Sequence, residues 1–522
     1  MSKKWTEAQR EAIFTQKCNL LVAAGAGTGK TAVLVERIIQ KITNTDEDVD
    51  IDRLLVVTFT NAAASEMKER IGEALSRLLE MNCNSKNLQK QLALLNQSNI
   101  MTIHSFCLKI IKSNFHLIDL DPGFRVCDNT EAILLKQDAL QEILEEKYQD
   151  AESEFLKLVD SFRDKNDIRL QNMIISLYEF SRSNPWPKKW LEEAAEDFNV
   201  GEDFNFEDTL WAKMLIHNLN VEVGGYRDKM ENALEIIKST IGLEHYICPF
   251  EDDIKSIDKI LQTNSWNEMK KEFMELKFHK LPGKKTGDDI ESIKKSVRDI
   301  KDEVKKKLND IRESIFLNSD NLVKDMKKVY PRINCLVTLV MDFSSRYYDK
   351  KRERGVLDFS DIEHFCLDIL TDMDDMGHKI PSQVALEYRK YFQEIFIDEY
   401  QDSNEVQEVI INMISRKDQD ANLFMVGDVK QSIYRFRQSK PELFLQKYDA
   451  YSERKGSRNR KIKLSENFRS RKEIIDGVNY LFKQIMCREV GELDYNDDEC
   501  LISSAQYKDC SGKSGGAIEI YM

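Results

Sequence analysis

None of the ten cysteines in this 522-residue chain stands three positions from another, so there is no C-x-x-C pair. That absence argues against a zinc or iron-sulfur site and fits reduced thiols. No apolar run approaches the roughly 18 residues of a membrane span, and Met1 to Glu7 lead into a polar helical pattern, not a signal peptide's apolar core. These absences point to a cytoplasmic protein without a membrane segment. No internal repeat or long low-complexity tract is present either.

Basic residues are in the minority, with 77 Lys and Arg against 91 Asp and Glu and a net charge of −14. The acidity is local. Residues 1–125 hold 16 Lys and Arg against 14 Asp and Glu, whereas residues 126–220 hold 10 against 21. A cationic groove outside the acidic block stays available, and phosphate contacts need local charge rather than a basic total. With 41% hydrophobic residues, the chain reads as globular, with roughly three or four domains.

What is present begins at Ala23-Ala24-Gly25-Ala26-Gly27-Thr28-Gly29-Lys30-Thr31, between apolar Leu20 to Val22 and the helical pattern from Ala32 to Ile39. A strand, a glycine-rich loop and a helix in this order turn backbone N–H groups onto phosphate oxygens. Lys30 is expected to reach the outer phosphates of ATP and Thr31 to ligate Mg²⁺. The usual pattern has glycine where this chain has Ala24. Further on, Ile395-Phe396-Ile397-Asp398-Glu399 ends an apolar strand on two carboxylates. Asp398 is suited to hold Mg²⁺ and Glu399 to orient and deprotonate the attacking water.

Short apolar strands alternate with helical patterns at Leu54 to Thr58, Asn99 to Ile103, Ile395 to Asp398 and Leu423 to Val426. That alternation predicts an α/β fold with a doubly wound parallel sheet, a P-loop NTPase core interrupted by an insertion. The expected organisation is a first part of the core at 1–125, a helical insertion at 126–340, a second part at 341–455, and the start of a second lobe at 456–522. Within the insertion, Ile293, Val297, Ile300, Val304, Leu308, Ile311 and Ile315 recur at helical spacing, a face expected to pack on a neighbouring helix.

The motif Asp398-Glu399-Tyr400-Gln401-Asp402 resembles the superfamily 1 helicases of the UvrD/Rep kind, and other segments agree in order. Trp5-Thr6-x-x-Gln9 is similar to the family's adenine-reading motif. Val57 to Met67 and Thr102 to Cys107 resemble its single-strand contact segments, and Leu357-Asp358-Phe359-Ser360-Asp361 matches the segment after the insertion. Val426 to Phe436 and Asn467-Phe468-Arg469-Ser470 resemble its third and fourth motifs. The wording of Ala62 to Lys68, Phe396 to Ser403 and Val426 to Arg437 is similar to AddA-type subunits of helicase-nucleases that resect DNA ends.

The resemblance implies two RecA-like lobes, ATP and Mg²⁺ as cofactors, translocation 3′ to 5′ on single-stranded DNA, and an AddB-like partner subunit. It places Gln9, residues 23–31 and Phe468 at the nucleotide, with Arg469 as a charge on the γ-phosphate and Gln431 as its sensor. Phe59, Thr60, His104, Phe106, Tyr434 and Phe436 are the expected DNA contacts, and exposed rings among them suit stacking on unpaired bases. Phe468 stands where relatives often have Tyr, and Ala32 where they place Arg. A stand-alone UvrD/Rep-like repair helicase, an RNA motor and a silent nucleotide-binding module remain the alternatives. No segment like Lys-Gly-Leu-Glu or Leu-Thr-Arg-Ala follows Ser470, so the second lobe is expected to be incomplete and a nuclease domain absent. Gln506-Tyr507-Lys508 and Gly512-Lys513-Ser514 are read as polar loop.

Overall fold

The computed structural model describes residues 5–44, 49–162, 166–201, 204–283, 290–316, 322–417, 420–505 and 507. Gln506, Lys508 and Gly512-Lys513-Ser514 thus lie outside the described residues. The chain divides into two units, one of Met1–Glu152, Val159–Leu191 and Thr338–Met522, the other of Ser153–Leu158 and Glu192–Val337. No described helix is long and apolar enough to cross a membrane.

The first unit is built on six strands: β1 (Asn19–Ala24), β2 (Leu54–Thr58), β3 (Asn99–Thr102), β4 (Glu394–Ile397), β5 (Leu423–Gly427) and β6 (Asn459–Leu464). They lie in the order β6-β1-β5-β4-β2-β3, and every pairing is parallel. A parallel sheet covered on both faces needs near-continuous apolar strands, and β2, β4 and β5 are buried at every position. Alternate residues serve opposite layers. Leu20, Val22, Val56, Phe424 and Val426 join helices α1 (Glu7–Phe14), α2 (Lys30–Thr43) and α3 (Asn61–Met81) on one face. Leu21, Leu55, Val57, Ile397 and Met425 join α4 (Ile103–Asn114), α5 (Phe359–Leu370) and α6 (Glu405–Ile414) on the other. Each fully buried large apolar side chain here contributes about 1.5–3 kcal/mol.

Two expected boundaries move. Strand β6 falls in the segment assigned to the start of a second lobe, yet it pairs with β1 from Asn19↔Asn459 to Ala24↔Leu464. It is an edge strand with alternating burial at Arg460, Ile462 and Leu464, and Arg460 is buried because it binds Glu11 and Thr15. The insertion also begins later than 126. Arg125–Val126 pairs with Val356–Leu357, and Tyr178 packs edge-on against Phe343 at 5.1 Å, so the helices Asn129–Asp150 and Ile168–Ser181 belong with the sheet unit. Beyond β6, Glu466–Asn467 pairs with Ile502–Ser503, and α7 (Lys472–Ile485) lies between them in sequence.

The second unit is helical, with Leu210–Ser239, Ile247–Leu261, Trp266–Glu275 and Glu291–Ile311 as its main elements. The spaced apolar face of the last is its core contribution: Val297, Val304, Leu308 and Ile311 are buried, and Ile293, Ile300 and Ile315 pack around them. Inside this core, the buried Lys301 ammonium forms an ion pair with Asp253 at 2.5 Å.

Candidate functional site

The phosphate loop leaves β1 at its carboxyl end, where an open parallel sheet places its ligands. Gly27 and Gly29 have φ of +72° and +85°, the left-handed region that glycine enters freely. Gly29 caps α2 without any side-chain hydrogen bond, so the first N–H groups of that helix face outward, the arrangement that receives phosphate. The loop is braced from within by Thr28 Oγ1, which donates to Gly25 O at 2.8 Å. Gln9 Nε2 donates to Thr28 O at 3.0 Å, while its Oε1 accepts Thr6 N–H at 3.1 Å. Gln9 therefore ties the loop to the start of α1, with one end of its amide on each, and one amide hydrogen is left over.

Residues 467–469 sit directly on this loop. Asn467 Nδ2 donates to Ala26 O at 2.6 Å, and the Phe468 N–H donates to Gly27 O at 2.9 Å. A Cβ on Gly27 would stand 2.8 Å from the Arg469 Cβ, so only glycine lets the two segments meet. Phe468 is 42% exposed, and Arg469 is exposed with no ion pair among the described residues. Both side chains are open to solvent beside the loop.

Asp398 and Glu399 follow β4. Glu399 adopts φ +51°, a costly conformation for a residue with a side chain and one that clusters at functional sites. Lys30 Nζ meets Glu399 Oε2 at 2.8 Å. Burial, reinforced by the neighbouring Glu399 charge and opposed by Lys30, pushes the Asp398 carboxyl up to about 6. The same causes push Asp402 up to about 6, and its Oδ1 is buried without a hydrogen-bond partner. Gln431 Nε2 donates to Asp428 Oδ2 at 2.7 Å. Thr31, Asp398, Glu399, Gln401, Asp402 and Gln431 line one cavity of about 380 Å³. These oxygens suit a hard cation that takes one or two carboxylates and shares phosphates and water, so the donor set fits Mg²⁺. Among the described residues, no group of three or more His, Cys, Asp or Glu could hold a metal alone.

A second cavity of about 650 Å³ adjoins the first and shares Phe59, Asp398, Glu399, Asp402 and Tyr434 with it. On one side Phe59 and Tyr434 stand 4.5 Å apart, with the Arg437 guanidinium 5.2 Å from the Tyr434 ring. On the other side His104 meets Phe359 edge-on at 5.5 Å. His104 Nε2 lies 3.2 Å from Glu363 Oε1. Burial alone would raise the Glu363 carboxyl, but contacts from His104, Gln407 and Asn404 outweigh it and hold the group below its usual range. Phe436 is 73% exposed and lies 5.9 Å from Tyr434. Thr60 works locally, accepting Ala63 N–H at 3.1 Å to cap α3.

One expected DNA contact is corrected. Phe106 is fully buried and packs on Tyr388 and Phe392 at 5.8 and 6.0 Å, so it is a core residue. Phe359, Glu363, Gln401 and Asp402 carry geometry that the motif reading did not assign. What the chain shows of Phe359 is its place as the first helical residue: Asp358 and Asp361 form a capping box that starts α5, and its ring is exposed there.

A glycine loop joining a parallel strand to an open helix N-terminus, opposite an Asp-Glu pair, defines a nucleotide-binding domain of the phosphate-loop class. The chain belongs to the UvrD/REP helicase N-terminal domain family, whose model matches residues 5–452. Over its whole length it is 65% identical to the A subunit of the ATP-dependent helicase/nuclease of Clostridium kluyveri. Over 97% of its length it is 51% identical to the protein of that name in Clostridium botulinum strain Kyoto and 52% identical to that of Clostridium acetobutylicum. The chain spans 42% of the length of each of these relatives.

Proposed function

We propose that this chain is the ATP-driven motor portion of an AddA-type helicase-nuclease, a cytoplasmic protein that works on DNA ends in double-strand break repair. In this reading the sheet unit is a RecA-like lobe, and the residues after β6 open a second one. The substrate is single-stranded DNA tracked 3′ to 5′, and the partner is an AddB-like subunit. The observation that carries the reading is the shared wall: Phe59, Asp398, Glu399, Asp402 and Tyr434 line both the cavity that Thr31 borders at the end of the phosphate loop and the aromatic cleft.

Each residue then has a distinct task. The loop N–H groups and Lys30 bind the outer phosphates, and Thr31 and Asp398 hold Mg²⁺, which when bound neutralises charge between those phosphates. The Lys30 ammonium neutralises Glu399. Drawing Lys30 onto a phosphate frees Glu399 to orient a water and take its proton. Gln431 lies on the same cavity and reads the γ-phosphate or the water, while Arg469 brings a positive charge from its seat on the loop. Phe59, Tyr434, Phe436, Phe359 and His104 offer ring faces and edges to unpaired bases.

The deciding measurement is ATP hydrolysis with and without single-stranded DNA, beside the same length of RNA, with Lys30→Ala as the blank. DNA-stimulated turnover that vanishes in the blank is the expected result. Turnover stimulated by RNA alone, or no nucleotide binding at all, would overturn the assignment.

A further inference from the structure

Gln401 is 1% exposed and stands between the carboxylates of β4 and the loop that follows β5. Its Nε2 donates to Glu399 Oε2 at 2.9 Å, the same oxygen that accepts Lys30 Nζ at 2.8 Å. Its Oε1 accepts the Asp428 N–H at 3.0 Å. Asp428 is itself buried, with Gln431 Nε2 on one carboxylate oxygen at 2.7 Å and Lys430 Nζ on the other at 3.0 Å. One amide thus joins the nucleotide-side carboxylate to the loop that bears Gln431 and, three residues on, the Tyr434 ring of the aromatic cleft.

The chain makes room for that link. A Cβ on Gly427 would stand 2.3 Å from Gln401 Oε1, so a side chain at 427 would push the amide away. The chemistry of the residue matters as well, because only an amide of this length donates at one end and accepts at the other. A glutamate could not donate to Glu399, and a leucine could do neither.

We propose that Gln401 is the positioning residue that couples nucleotide binding to strand binding, an inference that rests on the two-site reading above. Lys30 and Gln401 share Glu399 Oε2. When a phosphate takes Lys30, Gln401 becomes the remaining donor to that oxygen. The carboxylate's new position then passes through the amide to the Asp428 backbone, and from there to Gln431 and Tyr434. Coupling of this kind is reciprocal and is measured as a ratio of affinities.

The test uses fluorescence anisotropy of a labelled oligothymidine on this chain, with and without saturating Mg²⁺ and a non-hydrolysable ATP analogue. Wild type should show a ratio of affinities of about fivefold or more, and Gln401→Leu should bring it close to one. Gly427→Ala, acting from the end of β5, should do the same, and it carries the test if Gln401→Leu does not fold. A purely structural Gln401 predicts a lower melting temperature with an undiminished ratio in the folded protein, which would overturn the proposal. A wild-type ratio of one with both ligands bound would overturn it too, while leaving the two sites standing. Failure of either ligand to bind wild type would sink the two-site reading, and the coupling with it.

Discussion

The two units handle buried charge in opposite ways. In the helical unit Asp253 is closed on itself, with Lys301 on one oxygen at 2.5 Å and the His279 N–H on the other at 2.9 Å, inside a core that includes Phe250 and Val304. In the sheet unit Asp398, Glu399 and Asp402 line one cavity, with Lys30 paired to Glu399 alone, and two of the three carboxyls are pushed up to about 6. A closed pair fixes a packing arrangement. An open cluster instead holds electrostatic cost that an incoming cation relieves, which is why perturbed groups in a cleft mark function.

The largest expected effect comes from breaking the open cluster. On the proposed roles, Lys30→Ala removes the charge on the outer phosphates and Glu399→Gln removes the base; each should reduce strand-stimulated ATP hydrolysis by about 10³-fold or more, on the scale of lost transition-state charges. The two variants differ in binding. Glu399→Gln releases Lys30 from its ion pair, so nucleotide titration should show affinity at or above wild type, while Lys30→Ala should lose it. Undiminished turnover in Glu399→Gln would show that another group is the base.

Breaking the closed pair tests the other side of the comparison. Asp253→Ala strands the Lys301 ammonium in an apolar core and should cost about 3–5 kcal/mol of stability in urea unfolding. Adding Lys301→Met to that variant should recover most of the loss. A double variant as weak as the single one would mean that the pair does more than compensate itself.

A smaller effect sharpens the cleft. Tyr434→Ala or Phe436→Ala should weaken single-strand binding by about 1–3 kcal/mol with little dependence on base. Unchanged affinity with a lowered melting temperature would identify these rings as packing.

The smallest effect concerns Asp402. Its carboxyl is raised in the fold from 3.8 to about 6, so between those values the folded state holds more protons than the unfolded one. Stability therefore falls as pH rises through that window. Asp402→Asn should abolish that loss and add about 1 kcal/mol above pH 7, once screening at the cavity wall is allowed for. An Asn variant with the wild-type pH profile would refute the assignment.

The chemistry is the most legible part of the sequence, because phosphate binding and water activation demand particular residue types at particular spacings. Residues 23–31 and 398–399 stand out for that reason, and they lie at the ends of β1 and β4. Facing is harder to read. His104 and Phe106 are two residues apart on α4, about 200° around a helix, so the turn that aims His104 into the cleft sends Phe106 into the core. Phe359 and Glu363 are four apart and share a face, which brings both to the same cleft. Strand β6 escapes a sequence reading because Arg460, Lys461 and Lys463 make it look like surface. Its arginine is buried only because Glu11 and Thr15, more than 400 residues earlier, receive it.

That long reach also governs how the protein comes into being. Strand β1, which carries the phosphate loop, has β5 and β6 as its only neighbours among the described strands, and Asn19 meets a partner 440 positions later. At about 5–20 residues per second, a ribosome needs roughly 20–90 s to deliver that partner. Until Leu423–Gly427 emerges the strand has both edges unpaired, and one edge stays open until β6 follows, the state most open to aggregation and most dependent on chaperones. A polypeptide released before Leu464 would contain every phosphate-loop residue and still lack the edge against which that loop's strand is built.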